Sequence, residues 1–374
     1  MGASPITSNS TLLLSLPANV YLTSAFRLIA SLLWACSAIA CISCHTEARN
    51  MTTPRIDKLF EKTKPVCFGR FVMDVPASAT VVPGPQAFGG DIQTLEKGSQ
   101  SIKLLASAKA TQLEKIPHEE ESGSLLRNSI DGPTPGSRVL QFRATSTATR
   151  VMDVWAYLNA PPQAFLYKTG TAPSEGRTLD TEMREITYVA THLRPRDPSD
   201  IPTDPGVCLD VGFIADDSGK FQEIFGVGLR FAEWPDVSFS VSSNKDADQG
   251  ESFEARRAEA KRAALLVAPL ATLFNQVKTL REGKLKVQQG QGSEALFRRP
   301  MSKDDDNGQG VWHEFLFEYA GKQYDHHNPS WDASLITGVA NNNAGSTAAS
   351  LTDDEALALW DRLMASVRLR VPSK

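Results

Sequence analysis

Apolar residues recur along this chain at two distinct periods. Phe71, Met73 and Val75 alternate with residues able to face the other way, the period of a strand, and Pro76 ends the run. The next stretch, 83–90 (PGPQAFGG), carries turn chemistry. Ile92, Leu95, Ile102, Leu105 and Leu113 then fall near a 3.6-residue repeat, which predicts a helix over 93–116, weakened at Gly98 and stopped by Pro117. Residues 138–143, 151–158 and 165–167 read as strands. A second helix is predicted over 178–193, with Met183, Ile186, Val189 and Ala190 on one face.

The second half repeats this order. Residues 207–215 read as a strand, followed by a meander over 223–231 and 237–242 around Trp234-Pro235. A long helix is predicted over 252–278, with Phe253, Ala260, Ala264, Val267, Leu270, Phe274 and Val277 inward and a bend at Pro269. A hairpin across 289–292 and strands over 311–319 and 334–339 follow, then a small-residue loop over 341–350. The last helix has Thr352 as its N-cap and Glu355 three residues on, a capping box. Its buried stripe is Ala356, Leu359, Trp360, Leu363, Met364 and Val367.

This pattern predicts an α+β protein of two domains of similar plan. Each has a mostly antiparallel sheet packed by a long helix and a terminal helix. The stretch 194–206 holds four prolines and five charges, which no regular element tolerates. It divides an N-terminal domain over 65–195 from a C-terminal domain over 207–374 and is expected to act as a hinge.

The first residues read as an export leader. Residues 1–26 carry no charged side chain, Arg27 is the first charge, and an uncharged apolar run over 28–40 ends in Ala38-Ile39-Ala40-Cys41. A positive charge, a short apolar core and small residues before a cysteine fit a bacterial lipoprotein signal. The expectation is a leader over 1–44, acylation at Cys41, a polar tether over 45–64 and a lipid-anchored periplasmic protein. Translation from Met51 would delete the leader and leave the protein cytosolic. Beyond the leader no apolar run approaches the roughly 20 residues that cross a bilayer.

Composition adds mainly exclusions. The chain has 374 residues and a formal net charge of −4, so no global basic field draws in nucleic acid. Of five cysteines, Cys67 and Cys208 alone lie beyond the leader. In an exported protein they form a natural disulfide pair; in a cytosolic one they read as buried thiols. No zinc spacing, phosphate loop, dinucleotide fingerprint or nucleophile motif is present, and no cofactor is implied.

The run Tyr324-Asp325-His326-His327-Asn328 is the nearest to a metal or acid–base site, with His313 or Asp325 as possible company. Adjacent histidines diverge on any regular element, so it reads as a polar turn before Pro329. His118, followed by three glutamates, reads as a solvated turn. Asp304, Asp305 and Asp306 read as an exposed acidic turn, able to meet a basic partner. Trp234 and Trp331 sit where loops would expose them, and aromatic loop residues are favoured interface anchors.

Three segments carry a resemblance to a known family. Cys67-Phe68-Gly69-Arg70-Phe71-Val72-Met73-Asp74-Val75-Pro76 resembles the opening of type VI secretion immunity proteins that neutralise lipase effectors of the fourth class. Cys208-Leu209-Asp210-Val211-Gly212-Phe213-Ile214 is similar to the start of that family's C-terminal domain, and 351–361 to its last helix. The resemblance implies a two-domain periplasmic protein, often lipid-anchored, without a catalytic site, that binds a cognate secreted phospholipase toxin. Two other readings stand beside it: an envelope lipoprotein holding a small ligand between its domains, and a periplasmic hydrolase using His326 or His327 with a carboxylate.

Overall fold

The computed structural model describes residues 53–248, 250–266, 276–301 and 310–370. The chain opens with α1 (Pro54–Leu59), β1 (Thr63–Phe68), β2 (Phe71–Pro76), β3 (Thr80–Phe88) and β4 (Gly90–Thr94). Next come α2 (Ile102–Glu114), β5 (Leu126–Asp131), β6 (Arg138–Arg143), β7 (Met152–Ala160), β8 (Gln163–Gly170) and α3 (Leu179–His192). Three short strands follow: β9 (Leu193–Pro195), β10 (Gly206–Cys208) and β11 (Gly212–Ala215). The rest is β12 (Glu223–Phe231), β13 (Trp234–Asn244), α4 (Phe253–Leu265), β14 (Lys278–Val287) and β15 (Gly290–Pro300). β16 (Val311–Tyr319), β17 (Ser330–Ile336), α5 (Asp353–Ser366) and β18 (Arg368–Leu369) complete it.

Among the described residues, one antiparallel sheet of twelve strands runs through both halves, in the order β14-β15-β16-β17-β13-β12-β3-β4-β8-β7-β6-β5. The halves meet where β12 pairs with β3, from Glu223↔Phe88 to Arg230↔Thr80. Pro83 and Pro85 are accommodated by a shift of register between Phe225 and Val227. The stretch expected to be a turn is therefore the central strand β3. The halves share a sheet instead of standing apart.

Alternation along β7 buries both faces of the N-terminal half. Val154, Ala156 and Leu158 join the core under α3, while Tyr157 joins the core under α2, with Trp155 packed against it. Helix α2 begins later than its periodicity suggested. Ile92 belongs to β4, and Gly98 (φ +54°) opens a short 3₁₀ turn before Ile102.

In the C-terminal half, α5 lies against the sheet with the β1–β2 hairpin beside it. The Thr352/Glu355 capping box is present, and Ala356, Leu359, Trp360 and Leu363 are fully buried. The Trp360 indole N–H donates to Glu294 at 3.0 Å. Phe71, Met73 and Val75 fill the same core. N-terminal strands thus help build the C-terminal core, and β18 closes against β2.

The helix predicted over 252–278 departs from expectation. Its described part, α4, buries none of its residues, so Phe253, Ala260 and Ala264 are not an inward stripe. It lies over the sheet through Arg256–Glu318, Arg257–Glu282 and Glu254–Lys284 ion pairs and an Arg257 guanidinium over the Phe297 ring. Val267, Leu270 and Phe274 lie outside the described residues.

Candidate partner-binding surface

The junction of the halves is built around the Cys67 motif. Phe68 and Phe71 pair across a two-residue turn, so the motif is a hairpin with Gly69-Arg70 at its tip. Gly69 takes φ +50°, and a Cβ there would lie 2.8 Å from the Phe225 Cβ, so glycine is required on both counts. The close approach lets Cys67 and Cys208 bond, with their Cα atoms 5.8 Å apart.

The Arg70 side chain turns inward. It donates twice to Glu223 (2.8 and 2.7 Å), to the Asp216 carbonyl (3.1 Å) and to the Asp216 carboxylate (3.3 Å). Burial pushes the Asp216 carboxyl up, but hydrogen bonds from Tyr188 and Ser218 and the Arg70 charge outweigh it and hold it below the ordinary range. Burial and the Asp216 contact push the Tyr188 hydroxyl up to about 12.

Two further arginines fix the proline-rich stretch. Arg196 donates to the carbonyls of Asp197, Pro198 and Asp200 on one side and of Leu209, Asp210 and Gly212 on the other. Arg370 donates to the carbonyls of Pro202, Asp204 and Gly206. Burial, with the Arg70 charge nearby, lowers the Arg370 guanidinium to about 10. The proline-rich segment is therefore pinned along its length, and the expected hinge is corrected to a fixed connection.

Beside this junction is a cavity of about 640 Å³ lined from both halves, including Val66, Cys67, Pro83, Arg196, Cys208 and Val211. Val81, which lines the cavity, and Val82 stand exposed on β3. Among the described residues, two other apolar exposures are grouped. Leu104 and Leu105 lie on the outer side of α2 with Ile116 just past its C-terminal end, and Leu265 and Leu266 end α4, Leu266 at 87% exposure. Grouped apolar exposures of this kind mark contact surfaces more often than scattered ones do. Leu105 was expected inside. The helical repeat alone could not say which side of α2 the sheet would cover.

The two tryptophans expected at the surface are buried and are corrected as exposed anchors. Trp234 is 3% exposed, because β13 starts at this residue, and Arg55 lies over its ring. Trp331 is 1% exposed, sharing the inner face of β17 with Ala333 and Leu335 and packing between Phe71 and Phe317. His118 is also buried: its Nδ1 accepts from the Glu120 and Glu121 amides, and its Nε2 lies 3.0 Å from the Ala148 carbonyl. His326 and His327 do sit in a turn, beside Asp217. Asp304, Asp305, Asp306 and Cys41 lie outside the described residues.

Comparison with known proteins places this architecture. The model of the Tle cognate immunity protein 4 N-terminal domain matches residues 64–191, and that of its C-terminal domain matches 200–372. The apo structure of immunity protein TplEi of the T6SS from Pseudomonas aeruginosa is similar at 25% identity and a TM-score of 0.69, over 85% of this chain and 100% of that one. A chain of the Tle4-Tli4 complex is similar at 26% identity and a TM-score of 0.68, over 83% of this chain and 98% of that one. TplEi complexed with "L" peptide shares the fold at 24% identity and a TM-score of 0.64, over 84% of this chain and 99% of that one. No curated protein sequence matches this chain. With both domain models matched in order over a disulfide-tied, arginine-pinned junction, the chain belongs to the Tle cognate immunity protein 4 family.

Proposed function

We propose that this chain is a periplasmic immunity protein that binds a cognate type VI secreted phospholipase one to one and holds it inactive. The observation that carries this reading is the match of both domains of one immunity family, in order, across most of the chain. A similar chain occurs in the Tle4-Tli4 complex. Inhibition of this kind needs a complementary surface, roughly 1,200–2,000 Å² in total, and no reaction centre of its own. The exposed apolar groups on α2, at the end of α4 and on β3 supply candidate anchors from both halves. The acidic run Asp304–Asp305–Asp306 is proposed as a charged part of the same contact. The partner works on membranes from the periplasm, which is where the Ala38-Ile39-Ala40-Cys41 leader would deliver and anchor its inhibitor.

Self-protection tests this reading. Cells given the toxin in the periplasm should survive with the full-length protein and die with a version that starts at Met51. Equal protection by both versions would end the periplasmic reading. Cys41→Ser should abolish lipid labelling; unchanged processing would point to a plain signal peptide or an uncleaved anchor instead.

The cavity at the junction favours one second reading, a small apolar ligand held between the halves. Native mass spectrometry of the purified protein would show the added mass of such a ligand.

A further inference from the structure

We propose that Asp217, His326 and His327 form a binding site for a divalent transition-metal ion of the zinc class. The regular-element objection to adjacent histidines does not apply, because both lie in the turn between β16 and β17. Their rings come within 3.9 Å of each other, centroid to centroid. The third group arrives from the turn between β11 and β12. Asp217 Oδ1 lies 3.1 Å from His326 Nε2 and 3.9 Å from His327 Nε2. One donor atom from each residue falls within 4.8 Å of the others. Two bonds of ~2.0–2.1 Å at a tetrahedral angle place ligand atoms about 3.3 Å apart, close to the two Asp217–histidine distances of 3.1 and 3.9 Å.

The two turns are held before any ion arrives. The buried Lys245 links them: its carbonyl accepts from the Tyr324 amide at 2.8 Å, and its ammonium donates to the Gly219 carbonyl at 3.1 Å. Within the histidine turn, Lys322 N–H donates to the Asn328 carbonyl and Asn328 N–H to the Asp325 carbonyl. The Asp325 carboxylate accepts from the His327 amide, so it shapes the turn and leaves Asp217 as the carboxyl ligand. Arg70 stands 3.9 Å from Asp217, but its charge is met by Glu223 and Asp216.

Donor chemistry selects the ion. Two imidazoles and one carboxylate suit zinc, copper or nickel, whereas calcium and magnesium call for oxygen sets. The side chains of Asp217 and His327 are 53% and 71% exposed, so the ion enters from solvent and a fourth position stays open to water or a partner's donor group.

The test uses tag-free protein stripped with EDTA and titrated with ZnCl2, followed by calorimetry and melting temperature. One zinc per chain should bind saturably and raise the melting temperature, and Co2+ should give the visible band of a tetrahedral site. Asp217→Asn and His327→Ala should each weaken zinc binding by at least ~10-fold, as even outer partners of metal ligands do. Both changes lie at exposed side chains, so melting in EDTA should match the parent and show that folding is intact. Absence of saturable binding, or equal affinity in a His326→Ala/His327→Ala double variant, would overturn the site and reduce the cluster to a hydrogen-bonded His–Asp pair.

Discussion

Gly69 and Cys208 exchange both backbone hydrogen bonds, Gly69 N–H to the Cys208 carbonyl at 2.9 Å and Cys208 N–H to the Gly69 carbonyl at 2.8 Å. This single bridge joins the first hairpin to the start of the second half. The Cys67–Cys208 disulfide and the Arg70 network flank it.

The disulfide closes a sequence separation of 141 residues, which in the chain-entropy model contributes ~3–5 kcal/mol by restricting the unfolded chain. Replacing both cysteines with serine should lower the denaturant midpoint accordingly while the native sheet signal persists. An unchanged midpoint in the double variant would show that the bond adds nothing to stability.

Arg70 offers a sharper test of the junction. Truncation to alanine leaves Glu223 and the Asp216 carboxylate buried without their main cation, a loss of ~3–5 kcal/mol. Arg70→Lys keeps the charge but not the paired geometry and should fall between the two. Urea unfolding of the three proteins measures this order.

His313 makes stability depend on pH. The ring is fully buried, between Thr337 at Nδ1 and Asp353 at Nε2. Burial outweighs the attraction of Asp353 and lowers its pKa from the ordinary 6.5. The unfolded chain therefore takes up this proton first as pH falls. The stabilisation is complete above about 6.5 and declines as pH drops through that value toward the folded pKa. Wild-type protein should lose stability as pH falls below about 6.5, and His313→Gln should show a flatter profile there. Parallel profiles would remove His313 as the cause.

The outer side of α2 separates folding from binding. Leu104 is 73% exposed, so Leu104→Asp should change stability by no more than ~0.5 kcal/mol. If α2 docks on the toxin, the same variant should weaken the complex; thermal melting and binding are measured on one preparation.

The sequence disclosed what is encoded locally. Thr352 and Glu355 lie three residues apart and satisfy each other, so the last helix could be read with its buried stripe. The alternation of Phe71, Met73 and Val75 likewise survives intact. What could not be read depends on distant partners. PGPQ looks like a turn until β12 supplies a strand for it, with an irregularity where the prolines fall. Trp234 and Trp331 look like loop residues until β13 and β17 turn them inward. Proline density predicted a hinge at 194–206, but the carbonyls that prolines leave unpaired in helices or sheets were taken by Arg196 and Arg370. Asp217 and His326 stand 109 residues apart, so no local motif joins them.

The central claim is stoichiometric inhibition of a phospholipase. Its most direct test is to titrate the purified protein into the cognate secreted enzyme at fixed concentration while following phospholipid hydrolysis. Activity should fall linearly and end at one equivalent, with a 1:1 complex on size-exclusion chromatography. Full hydrolysis in the presence of excess protein would contradict it.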